Sequence, residues 1–144
     1  MSKKIIITGG LGYIGTELCK IYSGYSWKYN ITVIDKRFVS ERVKQLRNWG
    51  IKFIQGDILD KDLITDLVSD ADVVIHLAGI TDVAYVKSDN SQNEEEIKTV
   101  GEIGTRNILD ALTPDAKLIF PSTHVVFEGF KEVKENLNLD LIFY

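Results

Sequence analysis

Ile5-Ile6-Ile7-Thr8-Gly9-Gly10-Leu11-Gly12-Tyr13-Ile14-Gly15 is the stretch that decides how this chain folds. A short β-branched run closed by glycines reads as a strand buried on both faces, the kind found in parallel sheets. After the glycines, Ile14, Leu18, Ile21 and Tyr22 recur at i, i+4, i+7 and i+8, which predicts a helix packing that face on the strand, with Gly24 ending it. The turn between them contains both G-x-G-x-x-G and G-x-x-G-x-x-G. Each spacing has a physical reason. The tight turn needs a residue free to take positive φ, a bare backbone at Gly12 lets a diphosphate approach, and Gly15 lets the helix pack closely on the strand. The N–H groups at the helix start, with the positive end of its dipole, favour an anion without needing lysine or arginine. G-x-G-x-x-G alone also fits a simple structural turn, so a second signal is required.

Asp35 supplies it. It ends a second predicted strand about 20 residues after the last glycine, where a carboxylate accepts hydrogen bonds from both hydroxyls of an adenosine ribose. The pair of signals points to a dinucleotide, and the carboxylate favours NAD, because the 2′-phosphate of NADP would meet a like charge. Lys36 and Arg37 leave tolerance of NADP open, since either cation could offset that repulsion. The alternative for Asp35 is a turn residue closing a strand.

The strand-helix cycle then repeats along the chain. Ile31 to Ile34 reads as a strand, Ser40 as the cap of a helix with Val43, Leu46 and Trp49 on its core face, and Gly50 as its stop. Ile51 to Gln55 is a third strand. Asp60 caps a helix with Leu63, Ile64, Leu67 and Val68 inward, before a strand from Val73 to Leu77. Residues 80 to 93 are polar and weakly patterned, and Glu94-Glu95-Glu96 suits either a helix N-terminus or a solvated face. A helix from there to Leu112 would bury Ile97, Val100, Ile108, Leu109 and Ala111, although Gly101 and Gly104 interrupt it and Pro114 follows it. Lys117 to Phe120 is a fifth strand. Such alternation predicts an α/β, three-layer Rossmann fold, with right-handed crossovers, a parallel sheet in the order 3-2-1-4-5, and one domain over residues 1–144.

Composition narrows the function. A 144-residue chain that is 44% hydrophobic and 26% charged suits one globular domain. A net charge of −4 with dispersed lysines and arginines lacks the basic stripe that nucleic acid binding requires. The apolar runs reach only about half a dozen residues, too short to span a membrane, and the start leads straight into a strand, so the cytoplasm is the expected compartment. Cys19, the single cysteine, sits in an apolar helical pattern and reads as a buried, inert thiol. No metal site is expected. No Gly-Lys-Ser/Thr follows the glycines, which argues against a phosphate-binding NTPase.

Thr8-Gly9-Gly10-x-Gly12-x-x-Gly15, Asp35, Gly56-Asp57-Ile58, His76-Leu77-Ala78-Gly79 and Gly104-Thr105-Arg106-Asn107-Ile108-Leu109 stand in the order seen in extended short-chain dehydrogenases/reductases. Across nearly its whole length the chain resembles the NAD-dependent epimerase/dehydratase family. The resemblance implies nucleotide-sugar chemistry by transient hydride transfer, with NAD held along the turn by Gly9, Gly10, Leu11, Gly12, Tyr13, Ile14 and Gly15, then by Asp35 and Lys36. It also implies that Asp57 and Ile58 border the adenine, with Asp57 accepting from its amino group, and that Leu77, Ala78 and Gly79 line the passage toward the nicotinamide ribose. All of these lie just after predicted strand ends, where open α/β sheets place ligands. His76, at a buried strand end, reads as a hydrogen-bonded structural group rather than a catalytic one.

By the same resemblance, Ser122-Thr123-His124-Val125 belongs to the stretch after the fifth strand, with Ser122 near the cofactor and Thr123 as the catalytic hydroxyl that bonds the substrate oxygen. A turn or strand-end hydroxyl is the alternative for Thr123. The family's catalytic tyrosine, and the lysine four residues beyond it that lowers its pKa, have no clear counterpart before Tyr144. The expectation is therefore a cofactor portion of a longer enzyme, with the nucleotide-sugar held by a C-terminal region. His124-Val125 stands where sugar dehydratases have Asp-Glu, so epimerase or reductase chemistry is favoured over dehydration, whereas Gly101, where the family often has asparagine, and the missing lysine favour a competing reading. The competing reading is a non-catalytic dinucleotide-binding or redox-sensing module. The resemblance also implies a homodimer through the helix spanning roughly 94 to 112, while this chain by itself could be monomeric.

Overall fold

A computed structural model describes residues 2–80 and 91–121 of the chain. Strands β1 (Lys3–Thr8), β2 (Tyr29–Asp35), β3 (Lys52–Gln55), β4 (Val73–His76) and β5 (Lys117–Ile119) form one parallel sheet in the order β3-β2-β1-β4-β5, as the alternation predicts. Register aligns the strand ends: Thr8 lies opposite both Ile34 and His76, and Asp35 lies opposite Gln55. The winding reverses at β1, and a ligand crevice in an open α/β sheet opens at that point, beyond the strand C-termini.

Both faces of the sheet are covered. Ile5, Ile7, Ile31, Val33 and Ile75 pack with Cys19 of helix α1 (Tyr13–Ser23) and with Val43 and Leu46 of helix α2 (Ser40–Asn48). The alternate residues Ile6, Ile34 and Val74 pack with Ile64 and Val68 of helix α3 (Lys61–Val68) and, farther along the chain, with Ile108. The period of two in the strands therefore sorts the core into two halves around the sheet. Beyond residue 90 the chain runs through helix α4 (Ser91–Thr99), a π-helical turn (Val100–Gly104) and helix α5 (Thr105–Ala111). The π turn falls on the glycine-bearing segment that weakened the sequence pattern.

Several local expectations are corrected. Ile14 and Ile21 are 57% and 60% exposed, and α1 buries Gly15 and Cys19 instead, with Leu18 and Tyr22 half-buried beside them. The cause is the close approach of the helix to the turn: a Cβ at Gly15 would lie 2.5 Å from the Gly10 Cα, so the face carrying small residues turns inward. Leu109 is likewise exposed, whereas Ile108 is buried. Ser40 is the first residue of α2 rather than its cap; Val39 holds that place without a side-chain hydrogen bond. Asp60 does cap α3, accepting from the Leu63 N–H at 3.1 Å, and Gly50 stops α2 at φ +71°. Burial pushes the Cys19 thiol up to about 12, which makes it inert.

Two glycine substitutions test this packing through opposite signs. Gly15→Ala forces a Cβ against the backbone of Gly10 and is expected to destabilise by roughly 1–3 kcal/mol. Gly101→Ala has no heavy atom within 4 Å of its new Cβ and is expected to stabilise by roughly 0.5–1 kcal/mol. Urea unfolding of both variants checks this; equal effects would contradict the packing described.

Candidate functional site

A cavity of about 470 Å³ opens across the C-terminal ends of the strands. Gly9 and Gly12 of the glycine turn form one side, and Asp35, Lys36 and Arg37 after β2 form the next. Gly56, Asp57 and Ile58 after β3, then Leu77 to Ile80 after β4, complete the rim, with Glu96 of α4 and Val100 reaching in from the helical side.

Contacts with the neighbouring strands fix the shape of the turn. Gly9 has φ +67°, and a Cβ there would lie 2.7 Å from the Ala78 backbone nitrogen, so both conformation and space demand glycine. Gly12 faces the cavity, and its N–H donates to the Gly9 carbonyl at 3.0 Å. It also stands as the N-cap of α1 without a side-chain cap. The N–H groups of the first turn, from Tyr13 to Gly15, have no acceptor within the helix by its geometry, which makes this end a place for an anion.

The acid beside the turn has two duties. Asp35 is only 6% exposed, and its Oδ2 accepts the buried Leu11 N–H at 3.0 Å. Its Oδ1 accepts the Arg37 N–H at 3.0 Å and lies 3.4 Å from Arg37 Nε. The carboxylate therefore closes a local turn, as the alternative reading had it, and still lines the cavity. On the neighbouring wall, Asp57 accepts the Leu59 N–H at 3.0 Å and pairs with Lys36 at 3.0 Å. Partial burial raises the Asp57 pKa, but the Leu59 amide and the Lys36 ammonium outweigh it and leave the carboxyl below its ordinary range.

A buried chain of polar groups joins the remaining walls. Thr8 Oγ1 accepts the Ala78 N–H at 3.2 Å and lies 2.7 Å from His76 Nδ1, while His76 Nε2 lies 3.0 Å from Thr105 Oγ1. His76 is stacked on Phe120 with ring centroids 5.3 Å apart. Both ring nitrogens thus have hydroxyl partners, as expected of a hydrogen-bonded group at a buried strand end. Asn107 donates to the Ile58 and Leu59 carbonyls at 3.0 and 3.3 Å, and a Cβ at Gly104 would collide with the Ile58 side chain. The stretch from Gly104 to Asn107 thus grips two walls of the cavity, and this gives Gly104, Thr105 and Asn107 a physical reason to occur together.

Among the expected cofactor residues, the structure brings Gly9, Gly12, Asp35, Lys36, Asp57, Ile58, Leu77, Ala78 and Gly79 to the cavity. Gly10, Leu11 and Gly15 are buried behind it as framework, and the Tyr13 and Ile14 side chains are exposed and do not line the cavity. Ser122 and Thr123 lie outside the described residues. Sequence reasoning missed Arg42, whose guanidinium donates to the Leu11 carbonyl, and Asn107. It also missed Glu96 and Val100, whose i, i+4 spacing marks one helix face. A polar Thr8 within an apolar strand was the available sign of the buried network. Among the described residues no group of three or more His, Cys, Asp or Glu could hold a metal ion, and no helix is long and apolar enough to cross a membrane.

Burial pushes the His76 pKa down from 6.5 to about 4. Because the unfolded chain takes up this proton first, stability is fully present above about pH 6.5 and falls as the pH drops toward 4, by about 3 kcal/mol. Unfolding free energies of the wild type and His76→Gln across that window check this. The difference between them is expected to shrink with acid, and a constant difference would contradict a neutral, buried imidazole.

The chain has relatives among known proteins. UDP-glucose 4-epimerase of Mycoplasma genitalium is 31% identical over 129 residues, covering 86% of this chain and 37% of the epimerase. Among solved structures, L-threonine dehydrogenase of Clostridium difficile superposes with TM-score 0.69 at 28% identity, over 85% of this chain and 37% of that one. The dTDP-glucose 4,6-dehydratase of Bacillus anthracis, solved in complex with NAD, gives TM-score 0.68 at 22% identity, over 85% of this chain and 38% of the other. The chain thus spans little more than a third of the length of each. The 3-beta hydroxysteroid dehydrogenase/isomerase family matches residues 6–141, and the chain belongs to that family, within the epimerase/dehydratase group that its motifs resemble.

Proposed function

We propose that this chain is the NAD-binding domain of an oxidoreductase that acts on a nucleotide-sugar by transient hydride transfer, an epimerase or a close counterpart. The observation that carries the reading is the buried Asp35 carboxylate at the cavity edge, next to a glycine turn whose helix has no side-chain cap. These features fit NAD. The cavity volume lies within the roughly 300–1,000 Å³ usual for small-molecule sites. Gly12 and the first-turn amides of α1 would take the diphosphate, Asp35 the adenosine ribose, and Asp57 with Ile58 the adenine. Leu77, Ala78 and Gly79 would line the way to the nicotinamide ribose. Lys36 and Arg37 already have carboxylate partners in Asp57 and Asp35, which favours NAD over NADP. When bound, NAD supplies the acceptor and donor of the hydride.

The substrate class rests on the relatives. The epimerase and the dehydratase are named for nucleotide-sugars, whereas the threonine dehydrogenase is named for an amino acid, and the matched portion is common to all three. That these are enzymes favours the catalytic reading over a binding or sensing module. On this reading Thr123 bonds the substrate oxygen, Ser122 lies by the cofactor, and the complete protein works as a cytoplasmic homodimer.

Calorimetric titration of NAD and NADP tests the cofactor assignment. NAD is expected to bind more tightly, and Asp35→Ala to weaken it by about 10- to 100-fold, the worth of hydrogen bonds to a charged group. Asp35→Asn, which keeps an acceptor for the Leu11 N–H, separates loss of ribose contact from loss of the turn. Tighter binding of NADP, or no change in Asp35→Ala, would overturn the assignment.

A further inference from the structure

Both polar ends of the Leu11 residue are held from outside the turn. Asp35 Oδ2 takes its N–H at 3.0 Å, and the Arg42 guanidinium, from the first turn of α2, donates to its carbonyl. Leu11 itself is fully buried, and the next N–H, that of Gly12, is bound to Gly9. The peptide joining Leu11 to Gly12 therefore has one orientation, with its carbonyl drawn toward α2. A flip of that peptide would turn a carbonyl lone pair toward the place where the diphosphate lies, and two negative ends in contact repel. Arg42 is not among the residues lining the cavity, so it acts through the turn.

We propose that Arg42 is a positioning residue for the dinucleotide: it holds the Leu11 carbonyl outward and keeps the glycine turn in the form that accepts a diphosphate. The proposal rests on the cofactor reading above. Asp35 and Arg42 then act on Leu11 from its two ends, the carboxylate on the ribose side and the guanidinium on the phosphate cradle. A turn that is competent one-tenth of the time binds about tenfold more weakly, and this is the size of effect expected from losing the guanidinium.

The test compares NAD, ADP-ribose, NADP and adenosine on the wild type, Arg42→Met and Arg42→Lys, by calorimetry at 50 and 300 mM salt, with thermal unfolding as a control. Arg42→Met is expected to weaken NAD and ADP-ribose about tenfold at both salt concentrations and to leave adenosine within about twofold, because adenosine does not use the cradle. Arg42→Lys, which keeps one donor and the charge, is expected to recover part of the loss. Unchanged NAD affinity in Arg42→Met overturns the proposal. So does a loss that vanishes at 300 mM salt, which would mark simple charge attraction, or one confined to NADP, which would mark a contact with the 2′-phosphate. Equal loss for adenosine would reduce Arg42 to a structural group. If the wild type binds adenosine but not NAD or ADP-ribose, the cofactor reading fails and takes this proposal with it; binding of NAD unaffected by Arg42→Met removes the proposal alone.

Discussion

Helix α1 can begin where it does only because no side chain stands between Gly15 and the backbone of Gly10. That contact sets the distance from helix to turn, and the same crowding recurs where Gly9 meets Ala78 and Gly10 meets Val33. A packed interior yields little to an added methyl group, so these approaches fix the turn against β2 and β4 before any ligand arrives. The helix start, with its unsatisfied N–H groups, is thereby aimed over the switch point of the sheet. Asp35 extends the constraint: a carboxylate ordered by Leu11 and Arg37 has little further freedom to lose to any ligand.

The walls opposite the turn depend on polar groups inside the core. Thr8, His76 and Thr105 link β1, β4 and α5, and Asn107 holds the loop after β3. Burying such groups is favourable only when each finds a partner, and among the described residues no buried side-chain nitrogen or oxygen lacks one. The π turn at Val100–Gly104 lies between this anchored end and Glu96 at the cavity. π turns interrupt helices frequently at functional sites, and here the interruption coincides with Gly101 and Gly104.

The layers were legible in the sequence because Ile5 to Ile7, Ile31 to Ile34 and Val73 to Ile75 are largely apolar runs that alternate with helical patterns, as in a parallel sheet covered on both faces. The inward face of α1 was not. Counting apolar residues selected Ile14 and Ile21, but close approach favours the smallest residues, and Gly15 and Cys19 face the sheet. Ser40 was misplaced by one position because Val39 can stand at a helix start without any side-chain bond. The spacing of Asp35 from Gly15 placed it at the strand end that lines the cavity, yet its hold on Leu11 was not legible, since that contact is set by the folded turn. Arg42 carried no sign at all: an ordinary charged residue on a helix reaches the Leu11 carbonyl only when α2 packs beside the turn.

The central claim is that the turn from Gly9 to Gly15 and the Asp35 carboxylate form one surface for a dinucleotide. A crystal structure of the chain with NAD tests it most directly. The account predicts the diphosphate against Gly12 and the backbone N–H groups at the start of α1, and the adenosine ribose hydroxyls on Asp35, with Leu11 still bound to that carboxylate. A diphosphate located away from the start of α1, or an Asp35 that releases Leu11 and turns from the ribose, would contradict it.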